Sequence, residues 1–226
     1  MLCLSQAVLD ASGNDSGGPA FAGGCAVFAE RLRAVSASAF RSDGRDQEFG
    51  MKRMGFNHID LATTNMAATR AFYEGILGFP CVRTDILEIE AGGTAEHVFF
   101  DCGDGQMIAF ASAEKAPGRW PENLDTSLSK GLGLGRGVYH FAFEAGSYEN
   151  LERLKADLES KGVEVRGIED HEGWCNSIYF VDPNGLQLEY CWVCRELTED
   201  DARPQVRFRV SKEGKKVPPL SQTIAA

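Results

Sequence analysis

"SIYFVDPNGLQLEYC", residues 177–191, reads as strand, tight turn and strand, and it has a counterpart 80 residues upstream, "HVFFDCGDGQMIAFA", residues 97–111. In each, an alternating apolar run enters a turn containing Gly and leaves as a second alternating run. Superposing Gly105 on Gly185 pairs Phe99 with Tyr179, Phe100 with Phe180 and Ala109 with Glu189. The match extends upstream, where "NHIDLA" (57–62) has the pattern of "YHFAFE" (139–144), with the histidines 82 residues apart. Each of these strands precedes an amphipathic helix. In the first, Met66, Phe72, Tyr73, Ile76 and Leu77 recur at helical spacing before Gly78. In the second, Ser147 is the N-cap, Leu151, Leu154 and Leu158 form the stripe, and Gly162 ends it. The chain therefore reads as an internal repeat of two β-α-β-β-β modules. The connection, about 113–137, contains "GLGLGRG" but lacks the Lys-Ser/Thr of a phosphate loop, and reads as a flexible linker.

Strand alternation sorts the side chains into faces. Leu186, Leu188, Tyr190 and Trp192 oppose Gln187, Glu189 and Cys191; Tyr139, Phe141 and Phe143 oppose His140, Ala142 and Glu144. Ile59 and Leu61 oppose His58 and Asp60; Val98 and Phe100 oppose His97 and Phe99; Ile178 and Phe180 oppose Ser177 and Tyr179. The apolar faces take the helices, and each second face carries a reactive side chain. The expected fold is α+β, with two tandem β-α-β-β-β modules forming a curved mixed sheet around a metal-binding cleft. A single strand histidine is ordinarily structural. Here His58 and His140 share one repeat position, and a carboxylate, Glu189, stands where its repeat mate is only Ala109. Two imidazoles and one carboxylate bind one face of a divalent metal and leave its other positions open. A cation also compensates a charge that is otherwise costly to bury in mid-strand. Asp60 and Glu144 read as solvated strand-end charges.

Composition narrows the classes of function. The 226 residues are 43% hydrophobic and 25% charged, with a net charge of −10, which argues against nucleic acid or an anionic membrane surface as partner. Seven cysteines at scattered spacings point to reduced thiols and a cytoplasmic location rather than a disulfide scaffold. Cys191 and Cys194 form a lone C-x-x-C that reads as two packed thiols. No apolar run is long enough to span a membrane. Residues 1–50, rich in Ala, Ser and Gly, read as an N-terminal extension that is either disordered or upstream of a true start at Met51 or Met54; residues 196–226 read as a charged C-terminal tail.

Residues 54–195 resemble the vicinal oxygen chelate superfamily of glyoxalases, bleomycin-resistance proteins and type I extradiol dioxygenases. The resemblance rests on "FNHIDLATTNMAATRAFYEGILGF", "GVYHFAFEAGSYENLERLKADLESKGVEV" and "HEGWCNSIYFVDPNGLQLEY". It implies paired modules, about 54–112 and 137–195, around a metal. The pattern is closest to a one-domain extradiol ring-cleaving dioxygenase. That likeness implies Fe(II) held by His58, His140 and Glu189, with His97 as acid/base and Tyr179 and His171 as hydrogen-bond donors toward the substrate. It also implies a small aromatic substrate, O₂ as co-substrate, and a homodimer. A rival within the superfamily is a glyoxalase-like lyase, isomerase or thiol transferase using Mn(II), Zn(II) or Ni(II) as Lewis acid. A third reading is a non-catalytic small-molecule binding or resistance protein.

Overall fold

Asn65 begins the first helix by accepting the Ala68 N–H through its side chain, which satisfies one of the free donors at the helix start. The computed structural model describes residues 55–212 and 216–217; the segment read above as an N-terminal extension lies outside the described residues. β1 (His58–Ala62) leads through Asn65 into α1 (Met66–Arg70), which widens into a π-helical turn over Ala71–Ile76. The apolar spacing predicts one regular helix here. The widened turn instead places the adjacent Phe72 and Tyr73 both in the interior. The chain then turns at Gly78, whose φ is +73°, and continues as β2 (Cys81–Glu88), β3 (Thr94–Gly103) and β4 (Gln106–Lys115).

The second module repeats the plan. β5 (His140–Glu144) precedes α2 (Tyr148–Ser160), whose N-cap Ser147 accepts the Asn150 N–H. β6 (Arg166–His171), β7 (Cys175–Val181) and β8 (Gln187–Val193) follow. The two sheets have corresponding orders, β1-β4-β3-β2 and β5-β8-β7-β6, each with a parallel outer pair. The expected superposition holds at residue level: Phe99 faces Ala109 across one hairpin, and Tyr179 faces Glu189 across the other. A short pair, β9 (Arg209–Val210) and β10 (Lys216–Val217), lies in the tail, where Asp201 binds Arg195 and receives the Thr198 N–H.

The tandem modules are thus two four-stranded mixed sheets, each separately hydrogen-bonded. They meet through side chains. Val98, Phe100, Ile108 and Phe110 from the first sheet and Ile178, Phe180, Leu188 and Tyr190 from the second belong to one core, together with Leu151 and Leu158 of α2. The segment 71–79 touches both sheets. Tyr73 stacks on Phe100 with ring centroids 5.4 Å apart, Phe72 meets Phe180, and Phe79 meets Phe143 edge-on. Since both apolar faces are used in this common core, the polar faces of the two sheets look away from it.

The Asp-Pro-Asn-Gly turn has a structural role that its sequence does not announce. Asp182 is buried, accepts the Asn184 and Leu186 N–H groups, and receives the Tyr73 hydroxyl at 3.1 Å. Desolvation raises its pKa from the ordinary carboxyl value despite these donors. The connection read as a flexible linker is also tied to this turn. Thr126 donates to the Asn184 carbonyl, and the buried Ser129 hydroxyl accepts the Tyr139 N–H. Glycine spacing signalled flexibility, but these side-chain hydrogen bonds anchor the segment.

Candidate metal centre

β5 and β8 are parallel neighbours, so His140 and Glu189 rise from adjacent strands on the same polar face. The His140 Nδ1 lies 2.8 Å from the Gly137 carbonyl. A carbonyl only accepts, so Nδ1 carries a proton, and in the neutral ring the lone pair is then at Nε2. That Nε2 is 3.2 Å from Glu189 Oε2. Two lone-pair atoms at this distance need a proton or a cation between them. Ligand atoms about 2.1 Å from one ion and a right angle apart lie about 3.0 Å from each other, so the pair fits two adjacent positions on a divalent metal. Glu189 is only 5% exposed, and a carboxylate so placed calls for positive charge beside it.

The same face carries the next pair. Tyr179 is directly opposite Glu189 on β7, and its hydroxyl is 2.8 Å from His171 Nε2 at the end of β6. His171, which the sequence leaves in a loop-like setting, is therefore joined to Tyr179. Burial, and then the nearby Glu189 charge, pushes the Tyr179 phenol up to about 12, so near neutral pH it is a protonated donor. Two residues beyond Glu189, Cys191 shares the face. Burial raises its thiol pKa and pushes that of Cys175 to about 12. Cys194 donates instead to the Gly173 carbonyl, so the C-x-x-C spacing does not make one dithiol unit.

His58 and His97 belong to the first sheet. His58 binds Asn57 through Nδ1 at 2.8 Å and meets Phe99 edge-on. His97 is 3% exposed, and its Nε2 has no hydrogen-bond partner. The nearest acid, Asp60, has Oδ1 3.3 Å away; the contact is close but not aligned as a hydrogen bond. Asp60 is the side chain that the sequence reading set aside as a solvated charge. Its alternation with His58 gave its face but not the crossing to β3. Among the described residues, no group of three His, Cys, Asp or Glu side chains converges on a metal position. The chain brings His140 to Glu189, and Tyr179 to His171, while His58 and His97 stand on the polar face of the other sheet.

A family model described as the Glyoxalase/Bleomycin resistance protein/Dioxygenase superfamily matches residues 55–190. No curated protein matches the sequence. Similar solved structures include an integron cassette protein from the mobile metagenome of the Halifax Harbour sewage outfall, at 26% identity, covering 62% of this chain and 100% of that one, with a TM-score of 0.43. A genomically encoded fosfomycin resistance protein, FosX, from Listeria monocytogenes is 20% identical over 65% of this chain and 97% of its own, with a TM-score of 0.44. A lactoylglutathione lyase from Agrobacterium tumefaciens is 21% identical over 63% and 96%, with a TM-score of 0.43. Among the described residues, no helix is long and apolar enough to cross a membrane.

Proposed function

We propose, from the premise that this chain belongs to the glyoxalase/bleomycin resistance protein/dioxygenase superfamily, that it is a metal-dependent enzyme that opens a catechol-type aromatic ring with O₂. The observation that carries the reading is the His140–Glu189 pair, whose facing Nε2 and Oε2 are 3.2 Å apart beside the hydrogen-bonded Tyr179 and His171. His58 is the third ligand. Since the polar faces of the two sheets look away from a shared core, His58 of one copy meets His140 and Glu189 of a second, and the working unit is a homodimer. Fe(II) held there supplies sites for both reactants and a path for electrons between them. The protein's own groups do the rest. Tyr179, kept protonated, donates a hydrogen bond to a substrate oxygen, and His171 fixes the direction of that hydroxyl. His97, buried with a free Nε2 near Asp60, takes and returns the substrate hydroxyl proton. Phe99 gives the ring an apolar wall.

The test is anaerobic loading with Fe(II), followed by oxygen uptake and the yellow ring-opened product across a panel of simple catechols. Wild type should bind about one ion per chain, as one triad per chain requires, while His58→Ala, His140→Ala and Glu189→Ala each lose it. Full metal occupancy in two of the three variants removes the triad. Metal binding without oxygen uptake, together with isomerisation of a hemithioacetal by the Ni(II) or Zn(II) form, replaces ring opening with Lewis-acid chemistry.

A further inference from the structure

We infer that Asp60 is a positioning residue for His97, and that the two side chains form the proton-handling pair of the site; the assignment rests on the reading above, in which His97 takes a proton from the substrate. Among the described residues, His97 Nε2 is the one buried side-chain nitrogen or oxygen without a hydrogen-bond partner. In a ring only 3% exposed, an unpaired nitrogen costs stability, and a function that uses its lone pair accounts for it. The carboxylate beside it belongs to Asp60. Its Oδ1 is 3.3 Å from Nε2 but off the line of a hydrogen bond.

The register explains how the two meet. β4 lies between β1 and β3, so the strands that carry Asp60 and His97 run two spacings, about 10 Å, apart. Asp60 and Phe99 flank Ala109, while Ala62 and His97 flank Ala111. The middle strand therefore presents only methyl groups where the two side chains cross it. The second sheet is built the other way round. Ala142 stands where the first sheet has Asp60, Ser177 stands where it has His97, and Glu189 and Cys191 replace the two alanines. One repeat keeps a carboxylate on its middle strand beside His140. The other clears that strand, so that the side chains of its neighbours meet above it.

Each group then has one part in a proton transfer. The substrate O–H bond breaks, an Nε2–H bond forms on His97, and the electron pair stays on the substrate oxygen. The side chain of Asp60 is 36% exposed and turns into line to accept the new N–H, balancing the charge on the ring. Return of the proton restores the neutral ring. Asp85 pairs with His97 across β2 and β3, but Arg83 Nε holds its carboxylate at 2.8 Å and keeps it below the usual carboxylate range. Phe99 limits the swing of the His97 ring, with ring centroids 4.2 Å apart, so Asp60 is the acid placed to hold the Nε2 edge.

Proton NMR of the metal-free, full-length protein reads the pair without catalysis. After mild acidification protonates the ring, wild type should show a downfield, slowly exchanging ring N–H signal, assigned to His97 by its loss in His97→Gln. Asp60→Asn, at an exposed position, should keep the unfolding midpoint and lose that signal. In the Fe(II) form it should lower kcat about 10- to 100-fold, the effect of one charge-assisted hydrogen bond, with KM and bound metal unchanged, and Asp60→Glu should recover part of the loss. Ala111→Leu blocks the crossing and leaves both polar groups in place. It should behave like Asp60→Asn, and the double variant should lose no more than either single one. Absence of the signal from wild type, its survival in Asp60→Asn, or an unchanged kcat in that variant overturns the assignment. An Asp60-dependent signal in a protein without oxygen uptake keeps Asp60 as the residue that holds His97 and rejects ring opening. Oxygen uptake with a signal indifferent to Asp60 does the reverse.

Discussion

The Gly137 carbonyl fixes His140 as firmly as any catalytic partner does, because its bond to Nδ1 decides which nitrogen keeps a lone pair. This detail was not legible in the sequence, where His140 is known only by face and repeat position. Glu189 was legible: alternation put a carboxylate on the polar face in mid-strand, and burial to 5% exposure agrees with that reading. Asp60 was not, since no local pattern tells that its oxygen reaches within 3.3 Å of His97. At Tyr179 the prediction is about turnover. Phenylalanine keeps the ring under Arg166 and loses only the hydroxyl that meets His171. Tyr179→Phe should hold its full complement of metal and lose about 10- to 100-fold in kcat, the effect of one hydrogen bond to a charged oxygen worth about 1.5–3 kcal/mol. Metal analysis beside steady-state oxygen uptake checks it; an unchanged kcat would make Tyr179 a wall residue.

Elements show where the two repeats agree and where they have diverged. Gly105 and Gly185 occupy equivalent hairpin turns and have φ values of +72° and +79°, so the glycine alignment in the sequence identified a true structural equivalence. Their surroundings differ. A Cβ on Gly105 meets nothing within 4 Å, whereas one on Gly185 falls 2.8 Å from Ser127 Cβ, because the connection between modules packs on the second turn alone. A run of glycines conceals such anchoring, since the hydrogen bonds come from Thr126 and Ser129 on its flank. Gly105→Ala should therefore destabilise by about 1 kcal/mol, from backbone strain only. Gly185→Ala adds the overlap and should lose about 2–4 kcal/mol. Urea unfolding of both variants measures the difference, and Ser127→Gly in the Gly185→Ala background should recover the part due to contact. Equal losses in the two turns would mean that the connection does not press on the second one.

At the scale of the molecule, periodicity specified two modules and the faces of β1, β3, β5, β7 and β8, but not which apolar faces share a core. That choice depends on long-range contacts such as Phe72 with Phe180 and Tyr73 with Asp182, which carry no local signature. It decides whether the triad forms within a chain or between chains. If His58 of one copy serves His140 and Glu189 of another, inactive variants should complement. In a heterodimer of His58→Ala with Glu189→Ala, one site contains both substitutions and the other contains neither. Random pairing of equal amounts makes half the dimers mixed, so about one quarter of wild-type metal binding and oxygen uptake should return. His140→Ala with Glu189→Ala is the control, because both substitutions lie on the same face and every site in that mixture is damaged. Co-refolding each pair and measuring bound metal separates the two cases. Recovery in the first mixture and none in the second requires a site built across the dimer. Absence of recovery in both, with mixed dimers present by mass spectrometry, returns His58 to the same site as its own chain's Glu189 or removes it from the ligand set.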